Sequence, residues 1–163
     1  RLVISDVFDA PILDIAREFS VPNAYLPPGG FRTRLEPQAE ADLVRILRDA
    51  GVELVALAGF MRVLKAPMLN AFPRRIVNIH PSLLPKFPGL EAWRQALEAG
   101  EKLTGCTVHY VDEEIDHGAV IAQREVPILD DDTPERLHAR IQIAEHELYP
   151  AVIGQICRQL SAA

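Results

Sequence analysis

The chain has 163 residues, of which 48% are hydrophobic and 25% are charged, and its formal net charge is −6 at pH 7. This length and balance predict a single globular domain over residues 1–163 with a substantial core. The negative charge argues against a nucleic-acid partner, because no basic stripe is present to replace phosphate counterions. No apolar run approaches the roughly 20 residues that span a bilayer, so no membrane partner is expected.

The cysteine and histidine patterns bear on metals and on the redox compartment. Cys106 and Cys157 have neither the density of a disulfide framework nor the spacing of metal ligands, which favours a cytoplasmic protein. We expect each to be a small buried apolar residue. No HExxH or CxxC grouping, GxSxG elbow or Walker-type glycine loop occurs in the sequence, so we expect no metal.

The first half of the chain alternates short strands with helices. A strand is predicted at residues 2–4, a helix begins near Pro11, and a short strand follows at residues 24–26. A second helix opens at Glu36-Pro37, runs to residue 50 and is closed by Gly51. Residues 54–58 form a continuous apolar run, which is typical of a strand buried on both faces of a parallel sheet.

The second half continues the alternation and then changes character. A short helix is predicted at 68–72, a strand at 75–79 and a helix at 92–99. Two alternating strands, 106–111 and 120–126, predict an antiparallel pair. Thr133-Pro134-Glu135 marks the start of a long helix into the 150s, in which Pro150 could introduce a bend. The pattern predicts a doubly wound α/β fold with a mostly parallel sheet.

Asn78 and His80 are the leading candidates for chemistry. They lie where an apolar strand meets a proline-bounded turn, and a strand's period of two points them the same way. An amide N–H donor beside a titratable imidazole suits the transfer of an acyl group. The same residues also fit a capped strand end with a satisfied histidine, and the tripeptide alone leaves both interpretations open.

Asp116 is the candidate partner of His80. It lies in a polar turn between two predicted strands, is followed by His117-Gly118, and comes just before the next strand. A carboxylate near His80 would favour the imidazolium and so provide a proton donor. The other acids of this turn, and His117, are expected to be solvated.

Other polar residues carry weaker signals. His109, on an apolar strand, is expected to be structural, with support of His80 as the alternative. Gln142, Glu145 and Tyr149 fall on one face of the last helix, which fits either an ordinary polar face or a polar substrate site. Ser82 is a weak candidate nucleophile, because no base can be assigned to it.

Five segments, taken in order, carry a family resemblance. The chain resembles the phosphoribosylglycinamide formyltransferases, the folate-dependent glycinamide ribonucleotide transformylases of purine synthesis, from about Arg34 to Pro150. The matching segments are Leu57-Ala58-Gly59-Phe60-Met61-Arg62-Val63-Leu64, Asn78-Ile79-His80-Pro81-Ser82-Leu83-Leu84-Pro85, Phe87-Pro88-Gly89, Ile115-Asp116-His117-Gly118, and Gln142-Ile143-Ala144-Glu145-His146 with Tyr149-Pro150.

The resemblance implies transfer of a formyl group from 10-formyltetrahydrofolate to the amine of glycinamide ribonucleotide, without metal, by a monomer or homodimer. It gives catalytic roles to Asn78, His80 and Asp116, and a supporting water network to Thr107 and His109. The implied folate pocket comprises Arg34, Met61, Arg62, Val63, Leu64, Ile115 and Asp116. The implied ribonucleotide site comprises Pro81, Gln142 and Glu145.

Two departures from the family pattern leave alternatives open. The family usually begins with a strand and a phosphate-binding glycine-rich loop, and it ends with a further segment; we expect both to be missing from this chain. A non-catalytic folate-binding fragment is therefore one alternative. Formyltetrahydrofolate deformylase is the other alternative, because relatives share the Asn–His–Asp set, although it typically carries His-His-Ser-Phe-Leu-Pro where this chain has residues 80–85.

Overall fold

The structure is a computed structural model that describes residues 1–162 and divides into two compact units. The first unit comprises Arg1–Val55 and Gly59–Pro73. The second comprises Ala56–Ala58 and residues 74–162. No helix within residues 1–162 combines the length and apolar character needed to cross a membrane.

The first unit combines a small parallel sheet with three helices. Strands β1 (Val3–Ser5) and β2 (Asn23–Tyr25) pair in parallel, with helix α1 (Pro11–Glu18) between them in the chain. Helices α2 (Pro37–Asp49) and α3 (Ala66–Ala71) complete the unit. Each helix has proline in its first turn, where the missing N–H costs no hydrogen bond.

One buried carboxylate organises this unit. Glu40 is only 4% exposed, and its Oε1 accepts the backbone N–H of Lys65 at 2.6 Å. Lys65 occupies the N-cap position of α3, where backbone donors lack partners within the helix. The acid on α2 therefore satisfies a donor at the start of α3, which explains a charged residue on the buried face of α2.

The second unit is built on a sheet with strand order β3-β4-β5-β6. The strands are β3 (Val55–Leu57, with Val55 counted in the first unit), β4 (Ile76–His80), β5 (Leu103–Tyr110) and β6 (Val120–Pro127). Strand β5 pairs antiparallel with both β4 and β6. The predicted antiparallel pair is confirmed, and the antiparallel pairing of β4 with β5 adds to it.

Helices α4 (Ala92–Glu98) and α5 (Pro134–Ser161) belong to the second unit. Thr133 caps α5 by accepting the N–H of Arg136 at its side-chain oxygen, as its position in the sequence predicts. The rings of Trp93 on α4 and His138 on α5 stack with centroids 3.7 Å apart. The core between α5 and the sheet contains Cys106, Val126, Leu137, Ile141 and Ala144.

Several predicted details differ from the structure. Ala56 in β3 is exposed, so one face of this strand is open and the expected burial on both faces is wrong. Within residues 1–162, β3 also pairs with one strand only, β4. Cys157 is also exposed, because it falls on the outer face of α5, whereas Cys106 is buried as predicted. Helix α5 continues through Pro150, and a bend at that residue stays a prediction.

Candidate active site

The pairing of β4 with β5 places four polar side chains on one face of the sheet. Asn78 lies opposite His109, and His80 lies opposite Thr107. Because side chains alternate along a strand, these residues share a face, while Ile79 and Cys106 point to the α5 side. The sheet register therefore confirms that Asn78 and His80 point the same way. A register shift in the β5–β6 pairing at Val108/His109 lies beside this cluster.

His80 contacts an oxygen at each of its ring nitrogens. The residue is 5% exposed, its Nδ1 lies 3.3 Å from Asp116 Oδ2, and its Nε2 lies 2.9 Å from the carbonyl oxygen of Phe87. A carbonyl oxygen can only accept a hydrogen bond, and a carboxylate likewise accepts. The His80 Nε2 therefore carries the proton that the Phe87 carbonyl accepts, and the Asp116 carboxylate lies within ion-pair distance of Nδ1.

Asp116 is positioned by the conformation of its own turn and by the backbone N–H of Gly89. It has a left-handed conformation, with φ at +54°, and its Oδ2 accepts the N–H of Gly89 at 2.8 Å. Gly118, two residues later, lies so close to the strand that a Cβ there would stand 1.8 Å from the carbonyl oxygen of Tyr110. Glycine at 118 therefore lets the turn approach β5 and brings the carboxyl group to His80.

His109 is held as a neutral ring beside Asn78. Burial lowers the pKa of His109 more than the Tyr110 carbonyl and the Asp116 carboxylate raise it. Its Nδ1 lies 2.9 Å from the carbonyl oxygen of Tyr110 and so carries the proton, which leaves Nε2 as an acceptor. The Nδ2 of Asn78 lies 3.4 Å from that Nε2. Since an amide nitrogen carries two N–H groups, this contact orients Asn78 while using one of them.

Thr107 holds a loop in place. Its hydroxyl donates to the Ser82 carbonyl at 2.6 Å and accepts from the Leu84 N–H at 3.0 Å and from Gln123 Nε2 at 2.9 Å. One donor and two acceptor sites are all that a hydroxyl offers, so these contacts use its full capacity. The water network that the resemblance assigns to Thr107 stays a prediction.

Ser82 belongs to the same loop and shows no sign of a nucleophile. It is fully buried, and its hydroxyl donates to the carbonyl oxygen of Lys86 at 2.6 Å. A nucleophilic serine needs a base at its hydroxyl and access to substrate, whereas this hydroxyl fixes the turn before Phe87. The weak case for a covalent serine mechanism therefore finds no support.

Three contacts in this cluster lay outside the predicted site residues: the Phe87 carbonyl, the Gly89 N–H and the Gln123 amide. The first two belong to residues 85–89, a proline-rich segment. Its prolines restrict the backbone, and they were the sequence feature that indicated a fixed loop there. Gln123 carried no signal, since a glutamine on an exposed strand is ordinary.

The candidate ribonucleotide residues lie around β4 and on α5. Pro81 follows His80 directly, Gln142 is exposed, and Glu145 is half-buried. Burial raises the pKa of the Glu145 carboxyl to about 7. Tyr149, on the same helix, donates its hydroxyl to the carbonyl oxygens of Leu57 at 2.7 Å and Val77 at 3.0 Å. Tyr149 thus anchors α5 to β3 and β4, which gives that residue a structural role.

Most of the candidate folate residues belong to the first unit. There the Arg62 guanidinium pairs with Asp6, at 2.6 Å between Nε and Oδ2, and donates to the carbonyl oxygens of Phe31, Arg32 and Arg34. The Arg34 guanidinium in turn lies over the Phe31 ring at 4.1 Å. The Arg62 side chain therefore holds the loop of residues 31–34 in place. Arg62 could contact a ligand only through its backbone or through the guanidinium N–H groups that these bonds leave over.

The other candidate folate residues differ in exposure. Met61 in the first unit is 67% exposed, while Leu64 is 4% exposed and part of the core. Val63 forms a bridge with Arg34, and its N–H donates to the Thr33 carbonyl at 2.9 Å. Ile115, in the second unit, is 62% exposed. Their roles in ligand binding stay predictions.

Within residues 1–162, no group of three or more histidine, cysteine or acidic side chains is arranged to hold a metal ion. The chemistry of the cluster is instead that of an amide donor and an imidazole paired with a carboxylate. Such a set can stabilise negative charge on a substrate oxygen and move a proton.

Comparison with known proteins identifies the family of this chain. Residues 1–153 match the family model described as Formyl transferase, and the chain belongs to that family. A phosphoribosylglycinamide formyltransferase of Bacillus subtilis (strain 168) is 42% identical over 95% of this chain and 78% of its own length. The family resemblance and the α/β fold class are thereby confirmed.

Two further relatives show how much of each protein is shared. The trifunctional purine biosynthetic protein adenosine-3 of Drosophila melanogaster is 48% identical over 95% of this chain, which spans only 11% of that protein. The crystal structure of glycinamide ribonucleotide transformylase 1 from Symbiobacterium toebii is 51% identical with a TM-score of 0.88. That comparison covers 93% of this chain and 71% of the other.

Proposed function

We propose that this chain transfers the formyl group of 10-formyltetrahydrofolate to the amine of glycinamide ribonucleotide, a step of purine biosynthesis. The proposal draws on the formyl transferase family and on the names of its relatives, which include phosphoribosylglycinamide formyltransferase. A single formyltransferase domain, a cytoplasmic location and a monomeric or homodimeric state are parts of the same proposal.

One observation carries the proposal to this chain's own residues. Asn78 and His80 share a face of β4, and the His80 Nδ1 lies 3.3 Å from the Asp116 carboxylate. Formyl transfer to an amine needs a donor for the carbonyl oxygen as it becomes negative, and a group that can give and take protons. Asn78 and His80 offer both from one face of β4.

The reaction balances without a metal or a covalent intermediate on the protein. The amine nitrogen forms a bond to the formyl carbon, the bond from that carbon to N10 of the folate breaks, the amine loses a proton and N10 gains one. No outside oxidant, reductant or activating group is required, so the demands on the protein are orientation, charge stabilisation and proton transfer.

Each residue of the cluster takes a separate part. Asn78 donates an N–H to the formyl oxygen as negative charge develops there, with its amide oriented by His109. His80 stabilises that charge as an imidazolium and gives a proton towards the leaving nitrogen. Asp116 holds His80 in its charged form and accepts a proton from the attacking amine through water.

The remaining candidate residues are proposed to bind the substrates. Those proposed for the folate are Arg34, Met61, Arg62, Val63, Leu64 and Ile115 together with Asp116. Those proposed for the ribonucleotide are Pro81, Gln142 and Glu145. Thr107 and His109 support the site through the loop and through Asn78, respectively.

The test is to supply the purified protein with 10-formyltetrahydrofolate, with and without glycinamide ribonucleotide, and to measure products by mass spectrometry. The proposal predicts formylated ribonucleotide and tetrahydrofolate in equal amounts, and little formate when the amine is omitted. Formate release without the amine would instead indicate a hydrolase. Folate binding with neither product would indicate a non-catalytic binding protein.

A further inference from the structure

Gln123 makes two hydrogen bonds, one to the loop that contacts His80 and one to Thr107 on β5, which holds that loop. It lies on β6 directly opposite Thr107, and its Nε2 donates to the Leu84 carbonyl at 2.8 Å and to Thr107 Oγ1 at 2.9 Å. A carbonyl oxygen can only accept, so the atom facing Leu84 must be the amide nitrogen. The orientation of the side chain is thereby fixed by its partners.

The hydroxyl of Thr107 is directed by the same contact. Gln123 and the Leu84 N–H both donate to Thr107 Oγ1, so the hydroxyl proton of Thr107 is left for the Ser82 carbonyl. The Ser82 carbonyl oxygen lies 2.6 Å from Thr107 Oγ1. Gln123 thus fixes the direction of a chain of hydrogen bonds that ends on the loop backbone at Ser82 and Leu84.

A few residues after Leu84, the same loop contacts both His80 and Asp116. The Phe87 carbonyl contacts His80 Nε2 at 2.9 Å, and the Gly89 N–H donates to Asp116 Oδ2 at 2.8 Å. The Ser82 hydroxyl ties the two ends of this segment together by donating to the Lys86 carbonyl. A displacement at Leu84 would therefore reach the groups that orient His80 and Asp116.

We propose that Gln123 is a positioning residue for the transfer reaction, acting through Thr107 and Leu84 on the loop that orients His80 and Asp116. The inference rests on the proposed function, and no contact between Gln123 and substrate is required. Glutamine suits the position because one amide nitrogen supplies two donors, whereas a carboxylate of the same shape supplies none.

The main test is Gln123→Glu, with Gln155→Glu as a control that makes the same charge change at an exposed position on α5. An ionised carboxylate at position 123 would face the Leu84 carbonyl with an acceptor and draw the Thr107 proton away from Ser82. We expect kcat to fall roughly tenfold at pH 8, the scale of one lost hydrogen bond, with both KM values nearly unchanged. The deficit should shrink as pH falls towards the ordinary carboxyl range, because the protonated acid can donate again.

A second variant and a second measurement keep the proposal testable whatever the turnover. Gln123→Met removes the donors without adding charge, and its deficit in kcat should not vary with pH.

The ring nitrogen signals of His80 in an NMR spectrum should shift in both Gln123 variants and not in Gln155→Glu. If the unmodified protein lacked turnover, the proposed function would fail while these signals still tested the positioning. Unchanged His80 signals, or equal kcat deficits for Gln123→Glu and Gln155→Glu, would overturn the proposal.

Discussion

Two buried threonines on β5 should respond in opposite ways to the same substitution. Thr107 is fully buried and its hydroxyl makes three hydrogen bonds, to Ser82, Leu84 and Gln123. Thr104 is 2% exposed, and its hydroxyl oxygen has no hydrogen-bond partner among residues 1–162. Replacement by valine keeps the branched shape and removes only the hydroxyl in each case.

The expected magnitudes follow from what each substitution leaves behind. Thr107→Val leaves the Ser82 carbonyl and the Leu84 N–H without this partner, and at ~1–3 kcal/mol for each of the two buried groups the loss is about 2–6 kcal/mol. Thr104→Val strands no partner and removes a buried hydroxyl, so the change should lie between zero and a gain of about 1 kcal/mol.

Urea denaturation of the two variants beside the unmodified protein measures the difference. We expect a lower midpoint for Thr107→Val, an equal or higher midpoint for Thr104→Val, and similar slopes. For a chain of this size, each kcal/mol should move the melting temperature by roughly 2–4 °C. Thr107→Ser, which retains the hydroxyl, should recover most of the loss. Equal losses at both positions would refute the hydrogen-bond reasoning, since burial alone would then explain them.

Three further substitutions test other parts of the structure. Burial raises the pKa of Glu145 from 4.5 to about 7, so the contribution of this residue to stability is full below pH 4.5 and is lost as pH rises through 7. Between pH 4.5 and 8 the free energy of unfolding should therefore fall by roughly 3 kcal/mol on account of Glu145. Glu145→Gln should remove this pH dependence, as measured by denaturation at the two pH values. Tyr149→Phe should cost about 1–2 kcal/mol, because the Leu57 and Val77 carbonyls lose a shared donor; an unchanged midpoint would contradict this. The pKa of His109 is lowered from 6.5, so the folded state loses stability as pH falls below that value, and His109→Gln should flatten the acid side of the stability curve.

The placement of Asn78 and His80 was predictable because it depends on a local rule. Side chains two residues apart on a strand share a face, and the register of β4 against β5 bears this out. The left-handed backbone of Asp116 and the close approach of Gly118 were not readable from composition, although the Asp-His-Gly sequence marked the turn.

The contacts of Gln123 show where sequence reasoning stops. Its two partners lie 16 and 39 residues away along the chain, at Thr107 and Leu84. Such contacts depend on which strands pair and in what register, and a polar residue on an exposed strand gives no hint of either. Arg62 is a similar case, because its interaction with Asp6 spans 56 residues.

The predicted positions of the strands and helices were more accurate than their predicted burial. Strand β5 begins at Leu103, earlier than the apolar alternation indicates, because its pairing with β6 extends through Leu103 and Pro127. The exposure of Ala56 was missed because an apolar run reports hydrophobicity, while burial depends on which neighbours cover the strand. Local patterns thus located the strands and helices, and long-range pairing determined their surroundings.

The most direct test of the account is a single-turnover measurement of formyl transfer by the unmodified protein, Asp116→Asn and His80→Ala. A matched control is Asp130→Asn, which removes an acid whose side chain is 94% exposed. We predict transfer by the unmodified protein and by the control, a loss of at least about 100-fold in Asp116→Asn, and no detectable transfer in His80→Ala, with all four proteins folded. Transfer at the unmodified rate by both site variants would contradict the assignment of the chemistry to this cluster.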